Sequence, residues 1–307
     1  MMKRKGIVLG VCGEYEMKFE LKKVVNSREI YDYMRNLPFP YNYEVEYNTW
    51  EKSYLYDIDG EGRTLFSDLT TVGAYLDSKL VGFIQYGRTA FGFDENGESS
   101  DTVSYSVIRN FYFDERQRDA GIQLLNEAVK VLSNMTHRIY AFFHYFGMSC
   151  YARHGKLFEE FGYIHNLLKQ NGFVVEHENV FYSSTLNSAK PTAINVKWHD
   201  MTLGRQQYCD FILEKSIVGG CEIHFLEQEN TAYLRWIFIN EDMCGNGIGS
   251  ECMSALKTDL LNKGIMKFDT DTALSNKVAQ HFYEKNHFVK EGVTRSYYVK
   301  FSGVEKM

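Results

Sequence analysis

The chain has 307 residues, 44% of them apolar and 24% charged, with a formal net charge of −6. That is the composition of a folded globular protein with room for one large domain or two ordinary ones, and it excludes a disordered chain. The acidic balance also argues against a general nucleic-acid binder, which needs a basic footprint to neutralise phosphates, and no apolar run approaches the roughly 20 residues of a membrane span.

The basic start Lys3-Arg4-Lys5 precedes an apolar run at residues 7–12. The run is short for a signal-peptide core and is followed by no small-residue cleavage site, so it reads as a strand, and a cytoplasmic protein is expected. The cysteines at 12, 150, 209, 221, 244 and 252 form no CxxC pair, and reduced thiols are expected. Residues 27–37 predict a helix, with Ser27 as N-cap, Ile30, Tyr33, Met34 and Leu37 on one face, and Pro38 as the stop. Further along come a strand at 107–113, a polar loop at 114–120 and a helix at 121–132 with Ile122, Leu125, Val129 and Leu132 on one face. A strand at 139–143, a helix ending at Asn171-Gly172 and a strand through 180–182 come after it. The stretch 183–192, ending at Pro191-Thr192, is the most linker-like in the chain. It divides the sequence into 1–186, a linker at 187–192, and 193–307.

In the second half, strands at 208–213 and 221–226 flank a turn containing Gly219-Gly220, and a third strand covers 231–239. The loop Cys244-Gly245-Asn246-Gly247-Ile248-Gly249-Ser250 comes next. Ile248, Cys252, Leu256 and Leu260 recur every four residues, so a helix opens inside the loop, and Gly264 ends it. A strand at 265–270 leads to a short helix capped by Ser275 and carrying Val278, Ala279, Phe282 and Tyr283. Two strands, at 288–290 and 296–301, close the chain. The first half repeats this order in degraded form, with an insertion around residues 144–160.

A strand that runs through a glycine turn into a helix is an anion site, because the first helical N–H groups are unpaired and carry partial positive charge. Gly245, Gly247 and Gly249 would let the backbone approach phosphates. A dinucleotide fold uses similar geometry, and Asp269 and Asp271 stand near the spacing of its ribose-binding acid. However, position 250 is Ser rather than Gly, and fewer than sixty residues remain after the loop, too few for the strand–helix units such a fold adds.

Two segments resemble the GNAT N-acetyltransferase family. Its pyrophosphate loop reads Q/R-x-x-G-x-G/A, and residues 244–249 match both glycine positions while Cys244 replaces Arg or Gln. Its second signature, N-x-x-A-x-x-F/Y-Y-E-K-x-G-F, is matched by Asn276, Ala279, Phe282, Tyr283, Glu284, Lys285 and Phe288, with His287 in place of Gly. Together these cover roughly the last hundred residues. The resemblance implies an α+β fold of two GNAT-like domains, each a mixed, mostly antiparallel central sheet flanked by helices. It implies acetyl-CoA as cosubstrate and transfer of the acetyl group by direct attack of a primary amine on a small molecule or peptide. By position, Ile237, Phe238 and Ile239 would bond the pantetheine arm and residues 244–250 would hold the pyrophosphate. Asn276 and Phe282 would contact the cofactor, and Tyr283 would protonate the leaving thiolate. In the first half, Arg118-Asp119-Ala120-Gly121-Ile122-Gln123 keeps only the Arg and the first Gly, and Leu168 stands where Tyr283 does, so that copy is expected to have lost the proton donor. A non-catalytic coenzyme-A-binding sensor or scaffold is the second reading, and a dinucleotide-dependent oxidoreductase the third.

No metal is expected. Cys221 and His224, three apart on a strand, face opposite sides. Cys150 and His154 have an i, i+4 spacing but no acid partner. Glu222, His224 and Glu241 are candidate general bases, none singled out by the sequence.

Overall fold

The computed structural model describes residues 19–188, 191–203, 205–226 and 230–301, and the expected strand at 7–12 lies outside them. The first half runs β1 (Glu20–Lys23), α1 (Ser27–Met34), α2 (Tyr47–Leu55), β2 (Phe66–Leu76), β3 (Lys79–Thr89) and a short hairpin of β4 (Gly92–Phe93) with β5 (Ser99–Ser100). It continues through β6 (Ser106–Phe113), α3 (Arg118–Ser133), β7 (Arg138–Ala141), β8 (Leu157–Phe158), α4 (Gly162–Gln170) and β9 (Val174–Thr185). The second half runs β10 (Ile194–Trp198), β11 (Gln206–Leu213), β12 (Ser216–Leu226), β13 (Thr231–Ile239), α5 (Ile248–Asn262), β14 (Lys267–Ala273), α6 (Lys277–Lys285) and β15 (Val289–Lys300). The fold is α+β.

One sheet unites the chain, in the order β1-β2-β3-β6-β7-β15-β9-β14-β13-β12-β11-β10. Neighbours along it are antiparallel except β6 with β7 and β13 with β14. The centre is an exchange. Strand β9, which ends the first half, pairs with β14 from Lys267↔Thr185 to Ala273↔Asn179. Strand β15, which ends the second half, pairs with β7 from Tyr297↔Ala141 to Lys300↔Arg138, and the two exchanged strands pair with each other. Phe181, Tyr182 and Tyr297 are fully enclosed there.

Two cores flank this seam. The first gathers Ile30, Trp50, Phe83, Phe111, Leu124 and Leu125. The second gathers Phe211, Ile223, Leu234, Leu256 and Phe268, and takes Val180, Tyr182 and Leu186 from the exchanged strand and the residue after it. Cys252, Leu256 and Leu260 of the predicted α5 face are wholly buried.

Several local expectations are corrected. The β11–β12 turn lies at Glu214-Lys215, not at Gly219-Gly220. Those glycines sit inside β12, where a Cβ would come within 2.3 Å of the Phe238 carbonyl or 2.4 Å of the Tyr208 hydroxyl, so their role is close packing. Helix α1 ends at Met34 and is capped by Asn26, whose side chain accepts from the Arg28 N–H, while the Ser27 hydroxyl serves Glu51 and Tyr47. Helix α6 is capped by Asn276 rather than Ser275. The two closing strands are one strand, because a bulge at Lys290/Gly292 absorbs the apparent break.

The exchange predicts that the halves do not fold separately. Expressed alone, residues 193–307 leave β14 without β9 and β15 without both its neighbours. The expected result is no cooperative thermal transition for either half, against a single one for the full chain. A cooperative melt of 193–307 by itself would contradict it.

Candidate active site

The site begins with an interruption of the sheet. Strands β13 and β14 are bonded only from Thr231↔Lys267 to Leu234↔Thr270. Against β12, Glu222 pairs with Trp236 and Ile223 with Leu234, which leaves Arg235 as the extra residue of a bulge. A bulge bends its strand. Beyond it β13 departs from β14, whose last residues stay paired only with β9 on the opposite edge. The gap is a cleft of about 630 Å³.

At one end of the cleft lie Gly245, Gly247, Gly249 and Ser250. Gly245 and Gly247 hold φ of +82° and +84°, and a Cβ on either would touch nothing within 4 Å, so the requirement for glycine here is conformational. The first α5 bonds run from the Ser250 and Glu251 N–H groups back to the Gly247 carbonyl. The N–H groups of residues 247–249 therefore open the helix at its positive end. Phe282 and Ile239 close on Gly249, at 3.3 and 3.5 Å from where its Cβ would stand. The exposed Cys244 thiol points to the carbonyls of Asn240 and Ile239.

All the expected site residues line the cleft except Asn246, which is exposed, and Ile248, whose side chain packs on the second core. Asn276 lines it while its side-chain oxygen accepts from the Ala279 N–H at 3.0 Å. Tyr283 is 5% exposed, with its ring set between Tyr182 and Phe288. Burial raises its pKa above the ordinary 10, so the phenol stays protonated.

Asp271 is the residue that the sequence offered only as a ribose ligand. It stands in the cleft wall, accepting from the Tyr233 hydroxyl at 2.8 Å and from the Lys156 ammonium at 3.0 Å. Burial by itself would push this carboxyl up, but Lys156, then His154 once protonated in acid, and the two hydrogen bonds outweigh it and hold it down at about 2. His154, 3.8 Å away, is itself pushed to about 3 by burial and contributes little charge near neutrality. Lys156 and His154 belong to the first half, so the two halves build this wall together. Asp269 faces elsewhere, enclosed against Tyr43 and Lys267.

None of the candidate bases lines the cleft. Glu222 is engaged by Arg235 and the Trp236 indole. His224 is buried and, through burial and neighbouring arginines, pushed to about 3. Glu241 is exposed in the turn before the loop. The Cys150 thiol is pushed up to about 12 by burial, while His154 packs on Tyr41 and lies beside Asp271. The Cys221 sulfur lies 3.2 Å from that of Cys209.

The first half contains the same interruption, now filled. Strands β6 and β7 pair only from Ser106↔Ile139 to Ile108↔Ala141, and Arg109 is the extra residue of a matching bulge. Phe142, at φ 56°, takes the place of Asp271, and the inserted chain returns with Met148 and Tyr151 buried in the core. A cavity of about 10 Å³ remains, room for about one water. Arg109 is enclosed with Asp57 at 2.6 Å and donates to the carbonyls of Phe146 and Ser53. The expected polar loop at 114–120 is shortened because α3 starts at Arg118, so Gly121 is already helical and stacked on Phe113. In the surface hollow beside it Asp32, Asp114, Glu115 and Glu160 outnumber Lys79 and Arg116, a poor setting for a pyrophosphate. Leu168 is wholly buried.

Residues 173–288 match the model of the acetyltransferase (GNAT) family. This chain carries a GNAT-family domain. The match begins before the linker, with the exchanged strand β9. No curated protein matches the chain by sequence. Among solved structures, a tandem GNAT protein from the clavulanic acid biosynthesis pathway is similar over 94% of this chain and 100% of its own, at a TM-score of 0.64 and 9% identity. A GCN5-related N-acetyltransferase from Sphaerobacter thermophilus is similar over 77% of this chain and 82% of its own, at 0.51 and 10%. The glucosamine N-acetyltransferase region of a fungal multi-domain β-N-acetylglucosaminidase is similar over 92% of this chain and 38% of that one, at 0.60 and 10%. These likenesses establish the GNAT fold in tandem. Among the described residues, no helix is long and apolar enough to cross a membrane.

Two substitutions test these pairings. Asp57→Ala leaves Arg109 buried without its partner and should cost about 3–5 kcal/mol in urea unfolding; a loss below about 1 kcal/mol would contradict the pairing. Asp271, held at about 2 against an ordinary 3.8, adds stability that is present above the ordinary value and lost as pH falls through the lower one. Lys156→Met should move the acid unfolding midpoint, measured by circular dichroism, to higher pH, and coincident curves would refute the coupling.

Proposed function

We propose that the protein transfers an acetyl group from acetyl-CoA to a primary amine of a small molecule or peptide. One observation carries this reading: a single cleft runs from the glycine loop at the α5 N-terminus, past the unpaired edge of β13, to Tyr283 and Asp271. The loop N–H groups receive the pyrophosphate, and the free backbone edge at 237–239 receives the pantetheine arm. Asn276 and Phe282 flank that arm, and Tyr283 lies beside the thioester sulfur.

The amine lone pair attacks the thioester carbonyl carbon. A C–N bond forms, and the oxyanion is held by backbone N–H groups of β13. The C–S bond then breaks, and the Tyr283 phenol gives its proton to the departing sulfur. The attacking nitrogen loses its proton to water. Asp271 is too acidic to take that proton efficiently and instead offers its carboxylate to the incoming ammonium, which gives a first proton to water to free the lone pair before attack. The filled cleft of the first half supports one working site per chain, and the placement of Lys156 and His154 gives that half a share in the acceptor end.

Thermal melts with acetyl-CoA, coenzyme A and NADH test the reading, because a ligand of the native state raises the melting temperature. Acetyl-CoA should raise it, and an amine acceptor should then bring thiol release. Tyr283→Phe should lower kcat at least about tenfold, as expected for loss of a general acid, with little change in the melting shift. A shift with NADH alone would overturn the reading. Acetyl-CoA binding with no thiol release across a broad amine panel would make the protein a coenzyme-A sensor.

A further inference from the structure

Outside the cleft, one cluster has the chemistry of a metal site. His144, Glu176 and His177 each present a ligand atom, and these atoms lie within 4.8 Å of one another. His144 comes shortly after β7, while Glu176 and His177 are adjacent on β9. Adjacent strand residues ordinarily face opposite sides of a sheet. Here Ser296 pairs with His177 and Tyr297 with Val175, so Glu176 is the extra residue of a bulge. That bulge re-aims the two side chains toward one place.

Two of the three groups each carry one buried atom that is unsatisfied among the described residues. The His144 Nδ1 and one Glu176 carboxylate oxygen, Oε2, are buried with no hydrogen bond. Such atoms are costly to leave unsatisfied. The other Glu176 oxygen, Oε1, accepts from Arg138 at 3.2 Å, and Arg138 is itself held over the rings of Tyr140 and Tyr298. This is the arrangement in which an outer residue orients a ligating carboxylate. A second Arg138 bond to Glu176 would satisfy the carboxylate but would leave the His144 Nδ1 unpartnered. The two imidazole rings meet at 4.4 Å, edge to face.

We propose that His144, Glu176 and His177 bind one divalent transition-metal ion of the zinc class. Two imidazoles and a carboxylate suit such an ion, and three protein ligands leave a position open to water or another molecule. Ligand atoms around a tetrahedral zinc stand roughly 3.4 Å apart given bonds near 2.1 Å, so side-chain rotation closes the set. The site lies on the seam between the halves. The charges around it are Arg138 at Glu176 and, within electrostatic reach of His144, Lys156 and Asp271. A bound dication would thus sit close to the group that neutralises Asp271.

The test uses the full chain, stripped of metal and of any affinity tag, titrated with Co²⁺. The expected result is one Co²⁺ per chain with visible d–d absorption, no thiolate-to-cobalt charge-transfer band, and displacement by Zn²⁺. His177 is exposed, so His177→Ala should keep the native melt and weaken binding at least about tenfold; Glu176→Gln, which retains the shape of the side chain, should do the same. No cobalt uptake, a thiolate band, or uptake unchanged in both variants would overturn the proposal.

Discussion

Backbone hydrogen bonding across the exchanged strands holds the molecule together. Each half makes its last strand for the other: β9 completes the edge of β14, and β15 completes the edge of β7. A buried strand edge must be paired, since each unpaired N–H or C=O costs about as much as a lost hydrogen bond. Neither half can therefore bury its central strand without the other. The same exchange closes one side of β14 and leaves the open edge of β13 as the wall of the cleft.

That cleft depends on one inserted residue. The bulge at Arg235 parts two parallel strands, and the bulge at Arg109 does so in the first half. The consequences differ because the chain takes a different course beyond the second strand of each pair. Within β14, past the last pair with β13, it keeps its β course and carries Asp271 into the gap. After β7 it turns at Phe142 and sends the insertion back to fill it. In the filled copy the bulged arginine becomes a buried structural cation paired with Asp57; in the open copy it stays near the surface with Glu222. The insertion serves both halves, since its Lys156 and His154 reach the Asp271 wall.

Electrostatics then separate the roles of the two ends. The glycine loop offers helix-terminal N–H groups to an anion, with no side-chain cation required. The other end holds a carboxylate kept ionised by Lys156, beside a phenol kept protonated by burial. These opposite shifts come from different causes. Asp271 has a charged partner that outweighs its desolvation, while for Tyr283 desolvation dominates.

Much of this was legible in the sequence where the information is local. The glycine loop and the Asn276–Phe288 stretch each lie within a dozen or so residues. A left-handed glycine, a helix cap and an apolar face are set by neighbours in the chain, so they announced the glycine loop, α5 and α6. The order of the main elements from β6 to β9 and from β11 to β15 was likewise readable from periodicity, whereas α2, β2, β3 and β10 were not. Errors were local too where a residue had two uses: Gly219 and Gly220 looked like a turn but serve close packing, and Ser275 looked like a cap beside the Asn276 that is one. The strand exchange, the filling of the first cleft, the pairing of Lys156 with Asp271 across 115 positions, and the convergence of His144 with Glu176 and His177 belong to the tertiary structure alone. They rest on register and bulges between distant strands, where a one-residue shift turns a side chain to the other face, and no local pattern encodes that choice.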